Sequence, residues 1–218
     1  MPNNYILLDR IELNASAASI SFDNIPQTGY TDLKVVISAR TDRTAAISDG
    51  LLMKFNGSAT SYTDRYLQGA GSGTPGSGTS PFGTTRIYTG EMDTNGATAS
   101  TFSNQEIYIP NYRSSNFKSV SVDSVMENNA TTAYATLAAG LWSNTAAITA
   151  IEFSFANSTN FVAGSTFSLY GIAAVGTTPA IAPKADGGNV IGTDGTYWYH
   201  AFLSNGTFTP QVGLSCDY

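Results

Sequence analysis

The sequence predicts an all-β protein, a jelly-roll-like β-sandwich followed by a short C-terminal β-hairpin module. Three observations carry that prediction. Charged residues fill only 12% of the 218 positions, about half the roughly 25% of an ordinary globular domain. Ser, Thr, Asn and Gly together number 88, about 40% of the chain, and these residues favour turns and strand surfaces over helix interiors. Apolar and polar residues alternate with period two in segment after segment, which is the signature of a strand with one buried face. Long surface helices and coiled coils need Glu, Lys, Ala and Leu in bulk. Disorder is excluded by 12 Tyr, 11 Phe and 2 Trp, enough large side chains to fill a core.

Taken in order, the first clear strand is Leu33 to Arg40, where Leu33, Val35, Ile37 and Ala39 form an apolar face opposite Lys34, Ser38 and Arg40. Ile107 and Ile109 alternate with Glu106, Tyr108 and Pro110, and Val120 and Val122 alternate with Ser119, Ser121 and Asp123. Residues 131–142 (TTAYATLAAGLW) admit two readings. Their alanines allow a helix, but no charged residue gives that helix a wet face, so a buried strand fits equally. Ile151, Phe153 and Phe155 alternate with Ala150, Glu152 and Ser154, and Phe167 and Leu169 with Ser168 and Tyr170. Asn56-Gly57, Asn95-Gly96, Asn205-Gly206, Asp49-Gly50 and Asp194-Gly195 are read as positive-φ turns. About ten strands before residue 175 have the spacing of a sandwich or barrel.

Two segments break the alternation. Residues 69–83 (GAGSGTPGSGTSPFG) hold many glycines and two prolines and predict a long exposed loop without a role in folding. Residues 176–189, with Pro179 and Pro183, predict a linker between a sandwich domain at 1–175 and a small assembly module at 190–218. In that module a strand at 196–202 is expected to pair with 207–209 through Ser204-Asn205-Gly206. A two-stranded hairpin is marginal alone, so the module is expected to be ordered by contacts outside itself.

The formal net charge is −6. With 4 Lys and 6 Arg scattered along the chain, no cationic face is available to displace counterions, so nucleic acid is not an expected partner. No run approaches the ~20 apolar residues of a membrane-spanning helix, and no membrane partner is expected. The start of the chain lacks a basic segment followed by an unbroken apolar one, so a signal peptide is not expected. Cys216 is the sole cysteine and rules out an intrachain disulfide. A protein working outside a cell without such staples fits release by lysis, or oligomerisation, better than ordinary secretion.

The chemistry is sparse. His200 is the sole histidine, and on an aromatic strand it reads as a packing residue rather than a catalytic base. One His and one Cys cannot complete a zinc site, and no cofactor or metal is expected. Gly71-Ser72-Gly73-Thr74-Pro75-Gly76 matches the dinucleotide glycine spacing, but no helix follows to aim amides at a pyrophosphate. Asp93-Thr94-Asn95-Gly96 resembles the start of a calcium loop, yet Phe102 stands where the bidentate Glu belongs. Glu106, Asp123, Glu127 and Glu152 are the acids a glycosidase would need, but dispersed acids on wet strand faces are the favoured reading of them. Among aromatics able to stack on sugars, Trp142 is assigned to the core and Tyr134 is a further candidate. Tyr197, Trp198, Tyr199, His200, Phe202 and Phe208 are the candidate contact residues, for subunits or for glycan. Alternation puts Tyr197 and Tyr199 on one face and Trp198 and His200 on the other.

Several stretches resemble virion structural proteins of tailed phages, chiefly those infecting marine cyanobacteria: IYIPNY at 107–112, DSVMENNATT at 123–132, GLWSN at 140–144, FVAGSTFSLYG at 161–171 and DGTYWYHAF at 194–202. The resemblance runs from Ile25 to Tyr218 and brings no catalytic residues. It implies a fibre, appendage or capsid-decorating component. In many such proteins the Tyr-Trp-Tyr-His segment leads into a long glycine-rich tip, and this sequence ends at Tyr218 without one, which favours a short decoration, knob or fibre-base part over an adhesin. The expectation is therefore a non-enzymatic protein of the virion exterior, assembled in the host cytoplasm as a homo-oligomer, with a homotrimer favoured. Its partners would be further copies, the major capsid protein or tail components, and host surface glycan. The rivals are a carbohydrate-binding adhesin and a polysaccharide depolymerase.

Overall fold

The computed structural model describes residues 5–71, 74–129, 132–173, 185–186, 190–193, 198–203 and 205–210. The chain divides into two compact units, one spanning Tyr5–Ile172 and one containing Ala173–Tyr218.

The first unit is a β-sandwich. Its described residues form β1 (Tyr5–Glu12), β2 (Ser19–Phe22), β3 (Asp32–Ala39), β4 (Ser48–Phe55), β5 (Tyr62–Gly69), β6 (Gly76–Gly78), β7 (Ile87–Asp93), β8 (Ser103–Ile109), β9 (Lys118–Met126), β10 (Tyr134–Trp142), β11 (Ile151–Phe155) and β12 (Thr166–Ile172). One sheet has the order β1-β12-β3-β8-β9-β10-β5-β6 and the other β2-β11-β4-β7. Neighbouring strands run antiparallel throughout. Within the ambiguous segment 131–142, Tyr134–Trp142 forms the strand β10, paired on both sides by β9 and β5. There its alternate residues Ala138 and Trp142 reach the core.

The core lies between the layers and follows the predicted alternation. Leu33, Val35, Ile37 and Ala39 of β3, Ile107 and Ile109 of β8, and Ile151 and Phe153 of β11 are all fully buried. Aromatic contacts join the sheets: Phe55 of β4 meets Trp142 of β10 at 5.6 Å, and Phe153 of β11 meets Phe167 of β12 at 6.1 Å. Trp142 also stacks on Tyr62 at 6.2 Å, as its assignment to the core required. Burying each such ring contributes about 2 kcal/mol or more, which lets the unit hold together without a disulfide.

The turn signals divide. Asn56 and Gly57 take φ of 51° and 67°, the paired positive values of a tight β-turn. The Ser58 amide closes it on the Phe55 carbonyl at 2.8 Å, where the chain crosses from β4 to β5 in the other sheet. Asp49 and Gly50 do not form a turn and lie inside β4, where a Cβ on Gly50 would stand 3.0 Å from Tyr88 Cε2. Gly96 has no positive φ either. A Cβ there would meet the Ala46 carbonyl oxygen at 2.4 Å, so backbone crowding selects that glycine.

The segment 69–83 is largely exposed as expected, with no described residue buried, but it is not a featureless loop. Gly76–Gly78 forms β6 and pairs with Tyr66–Gln68, and Ser80 is anchored on the carboxylate of Asp64. The glycines lower the segment's intrinsic order, but a buried charged acceptor offsets that cost.

In the second unit β13 (Ala185–Asp186) pairs with β16 (Thr209–Pro210), and β14 (Val190–Thr193) pairs with β15 (Trp198–Ala201). The strand expected at 196–202 is therefore present as β15, but its partner is Val190–Thr193 and not 207–209. The four-residue connection carrying Asp194-Gly195 supplies the nearer hairpin signal, and Thr209 pairs instead with Asp186. The linker expected at 176–189 lies outside the described residues except for Ala185 and Asp186.

Candidate functional site

The C-terminal aromatics are only partly brought together. Tyr197 lies outside the described residues. Trp198, Tyr199 and His200 follow one another along β15, opposite Thr193, Gly192 and Ile191. His200 meets Phe208 edge-on at 5.2 Å, an aromatic contact. Tyr199 is 55% exposed, and Phe202 and Phe208 also remain accessible.

The candidate acids sit on the surface. Glu106 bonds Lys34 at 2.6 Å and Glu152 bonds Lys54 at 2.9 Å. Asp123 pairs with Glu106 across β8 and β9 on the outer face. Glu127 accepts a bond from the Asn129 amide. Glu106 and Asp123 line a shallow concavity of about 320 Å³ together with Lys34, Tyr108 and Leu137. Among the described residues no group of three or more His, Cys, Asp or Glu is placed to hold a metal ion.

A built concavity does exist, at the β7 edge of the smaller sheet. On β5, Tyr62, Asp64, Tyr66 and Gln68 share one face by the two-residue period. Tyr62 enters the core, and the next three reach past the rim toward β7. The register of β4 against β7 slips at Thr89, with Leu51 opposite Gly90 and Leu52 opposite Tyr88. This β-bulge turns Ile87 into the core and leaves the Tyr88 ring over Gly50. Tyr66 and Tyr88 then meet at 5.3 Å with planes 58° apart. The resulting cleft of about 410 Å³ is lined by Tyr66, Gln68, Phe82, Tyr88 and Glu91, and also by Arg43 and Asn157.

Two buried carboxylates hold the walls. Asp64, 3% exposed, accepts from the Ser80 amide at 2.8 Å, the Ser80 hydroxyl at 2.7 Å and the Tyr88 amide at 3.0 Å. It thereby ties β5, the 80–82 segment and the open edge of β7 together. Asp49, 1% exposed, accepts from Asn157 Nδ2 and Thr159 Oγ1, each at 2.7 Å, and faces Arg43 at 3.9 Å. The Tyr88 hydroxyl donates to Glu91 at 2.9 Å and accepts from Gln68 Nε2 at 3.3 Å. Burial, with the Glu91 charge beside it, pushes the Tyr88 phenol far above its usual range, so it remains a neutral donor.

A second surface feature lies on the opposite side of the same strand. Leu67 of β5 and Leu137 of β10 are cross-strand partners, 61% and 59% exposed. Ala135, Ala139 and Val125 extend this apolar patch over β9 and β10.

Sequence reasoning missed both features. The cleft residues come from strands separated by a glycine-rich segment, and the one local hint, Gly90 inside a strand, marks a bulge without saying what it re-aims. No protein-family model, curated protein or solved structure matches the chain.

Proposed function

We propose that this chain is a non-enzymatic structural protein of a tailed-phage virion, displayed on the particle exterior and assembled as a homotrimer. The reading treats the sandwich as a jelly roll with two insertions. The orders β1-β12-β3-β8 and β2-β11-β4-β7 correspond to a double Greek key. The pairs β5–β6 and β9–β10 then extend the larger sheet.

The observation that carries the reading is the patch of Leu67, Val125, Ala135, Leu137 and Ala139 on that extension. A solvated sheet face is ordinarily polar, whereas clustered exposed apolar side chains mark contact surfaces. The neighbouring Ser119 and Ser121 suit lateral contacts that bury little charge. In this reading the aromatics of β15 and Phe208 seat the chain on another virion protein, such as the major capsid protein or a tail component.

Sedimentation equilibrium of the full chain tests the assembly. The expected mass is three times the 22.9 kDa of one chain. Leu67→Asp with Leu137→Asp should reduce it to one chain while leaving the melting temperature nearly unchanged. A wild-type monomer, or a double variant that still assembles, would refute the assembly.

A further inference from the structure

We propose that the cleft between β5 and β7 binds a neutral saccharide unit and does not cleave it. This inference does not rest on the assembly reading: Gln68, Phe82, Tyr88, Glu91 and Asn157 line the cleft and not the Leu67–Leu137 concavity, and Tyr66 alone borders both.

The volume of about 410 Å³ falls within the ~300–1,000 Å³ of small-molecule sites. Tyr66 and Phe82 are partly exposed and offer apolar ring faces, with Tyr88 backing Tyr66. A pyranose ring presents a C–H face that packs on such rings and a rim of hydroxyls that needs polar partners.

The polar rim is selective for that chemistry. Gln68 lines the cleft, and its Nε2 is committed to Tyr88 Oη and Thr136 Oγ1, so its carbonyl oxygen is the atom left to accept. Asn157 Nδ2 is committed to Asp49, and one Glu91 oxygen to the Tyr88 hydroxyl. Each side chain therefore retains acceptor capacity, and a ligand rich in O–H donors satisfies it. Arg43 supplies the opposing donors, with one N–H held by the Ser48 carbonyl at 2.9 Å. Glu91 and Arg43 both line the cleft, so it presents one charge of each sign and no net charge, which suits a neutral polyol over a free anion or a free cation.

Hydrolysis is not expected, since glycoside cleavage takes two carboxyl groups flanking the bond. Glu91 is the one carboxylate lining the cleft, while Asp49 and Asp64 are consumed beneath it as supports. Those supports fix the walls before a ligand arrives, and such preorganisation lowers the ordering cost of binding.

The test is saturation-transfer NMR and calorimetry on the full chain with neutral oligosaccharides: α- and β-glucans, mannans, xylans, galactans and N-acetylglucosamine oligomers. Spermidine and inorganic phosphate serve as charged controls. At least one oligosaccharide should bind and remain intact, whereas neither control should. Tyr66→Ala and the surface variant Asn157→Ala should each weaken binding about tenfold or more, with Phe117→Ala, an exposed aromatic outside the cleft, leaving it unchanged. The melting temperature of Asn157→Ala provides the check on folding. The proposal is overturned if no oligosaccharide binds, if binding survives both cleft substitutions, if a charged control binds more tightly, or if reducing ends are released.

Discussion

Replacing Asp64 with alanine removes a buried carboxylate that accepts three hydrogen bonds at 2.7–3.0 Å from Ser80 and from the Tyr88 amide. Bonds to a charged acceptor contribute about 1.5–3 kcal/mol each, and part of that gain is returned because a buried charge no longer has to be desolvated. The net loss is about 3–4 kcal/mol. At roughly 2–4 °C per kcal/mol for a chain of this size, the melting temperature should fall by about 10 °C. Ser80→Ala removes the hydroxyl bond and keeps the amide, so its loss should be nearer 1 kcal/mol. The double variant should lose little more than Asp64→Ala alone, because both changes act on one network. Differential scanning calorimetry of the three variants reads these numbers. A melting temperature within about 2 °C of wild type for Asp64→Ala, or strict additivity in the double variant, would refute the role given to this carboxylate.

Excising 71–73, which leaves a four-residue connection between the paired Gln68 and Gly76, should leave stability within a few degrees, whereas replacing 69–81 with a four-residue turn should cost about as much as Asp64→Ala. Gly90 has a φ of 126°, and a Cβ there would lie 2.4 Å from Ser124 Oγ. Gly90→Ala should therefore lower stability by about 3 kcal/mol, read from the urea midpoint. Burial raises the Asp93 carboxyl above 3.8. Between 3.8 and that raised value the native state binds the extra proton, so stability should fall as pH rises through this window, and Asp93→Asn should abolish that slope. Lys118 is fully buried, and burial lowers its ammonium below 10.5. The unfolded state then holds the extra proton below 10.5, so stability should rise with pH there, and Lys118→Met should lack the rise.

The strands were legible because one face is buried and the side-chain period is two. Leu33 to Ala39, Ile107 to Ile109 and Ile151 to Phe155 declare their faces without help from the rest of the chain. Residues 131–142 were not decidable locally, because Ala and Leu fit either period. Pairing with β9 and β5 settled the matter. The segment 69–83 misled because its glycines speak for disorder, while the interaction that fixes it depends on Asp64, sixteen residues before Ser80. In the C-terminal unit two Asx-Gly pairs compete, and sequence alone does not rank the nearer above the farther. The cleft was illegible for a related reason. Its residues converge only once a bulge has shifted the register of β7, and a register shift leaves no mark beyond one strand glycine.

Antibody-gold labelling of intact phage particles bears most directly on the claim that this is an exterior virion component. The account predicts dense, regularly spaced label on the surface of purified particles, with the same protein retained after high-salt washing. Label confined to the soluble fraction of the lysate, with bare particles, would contradict it.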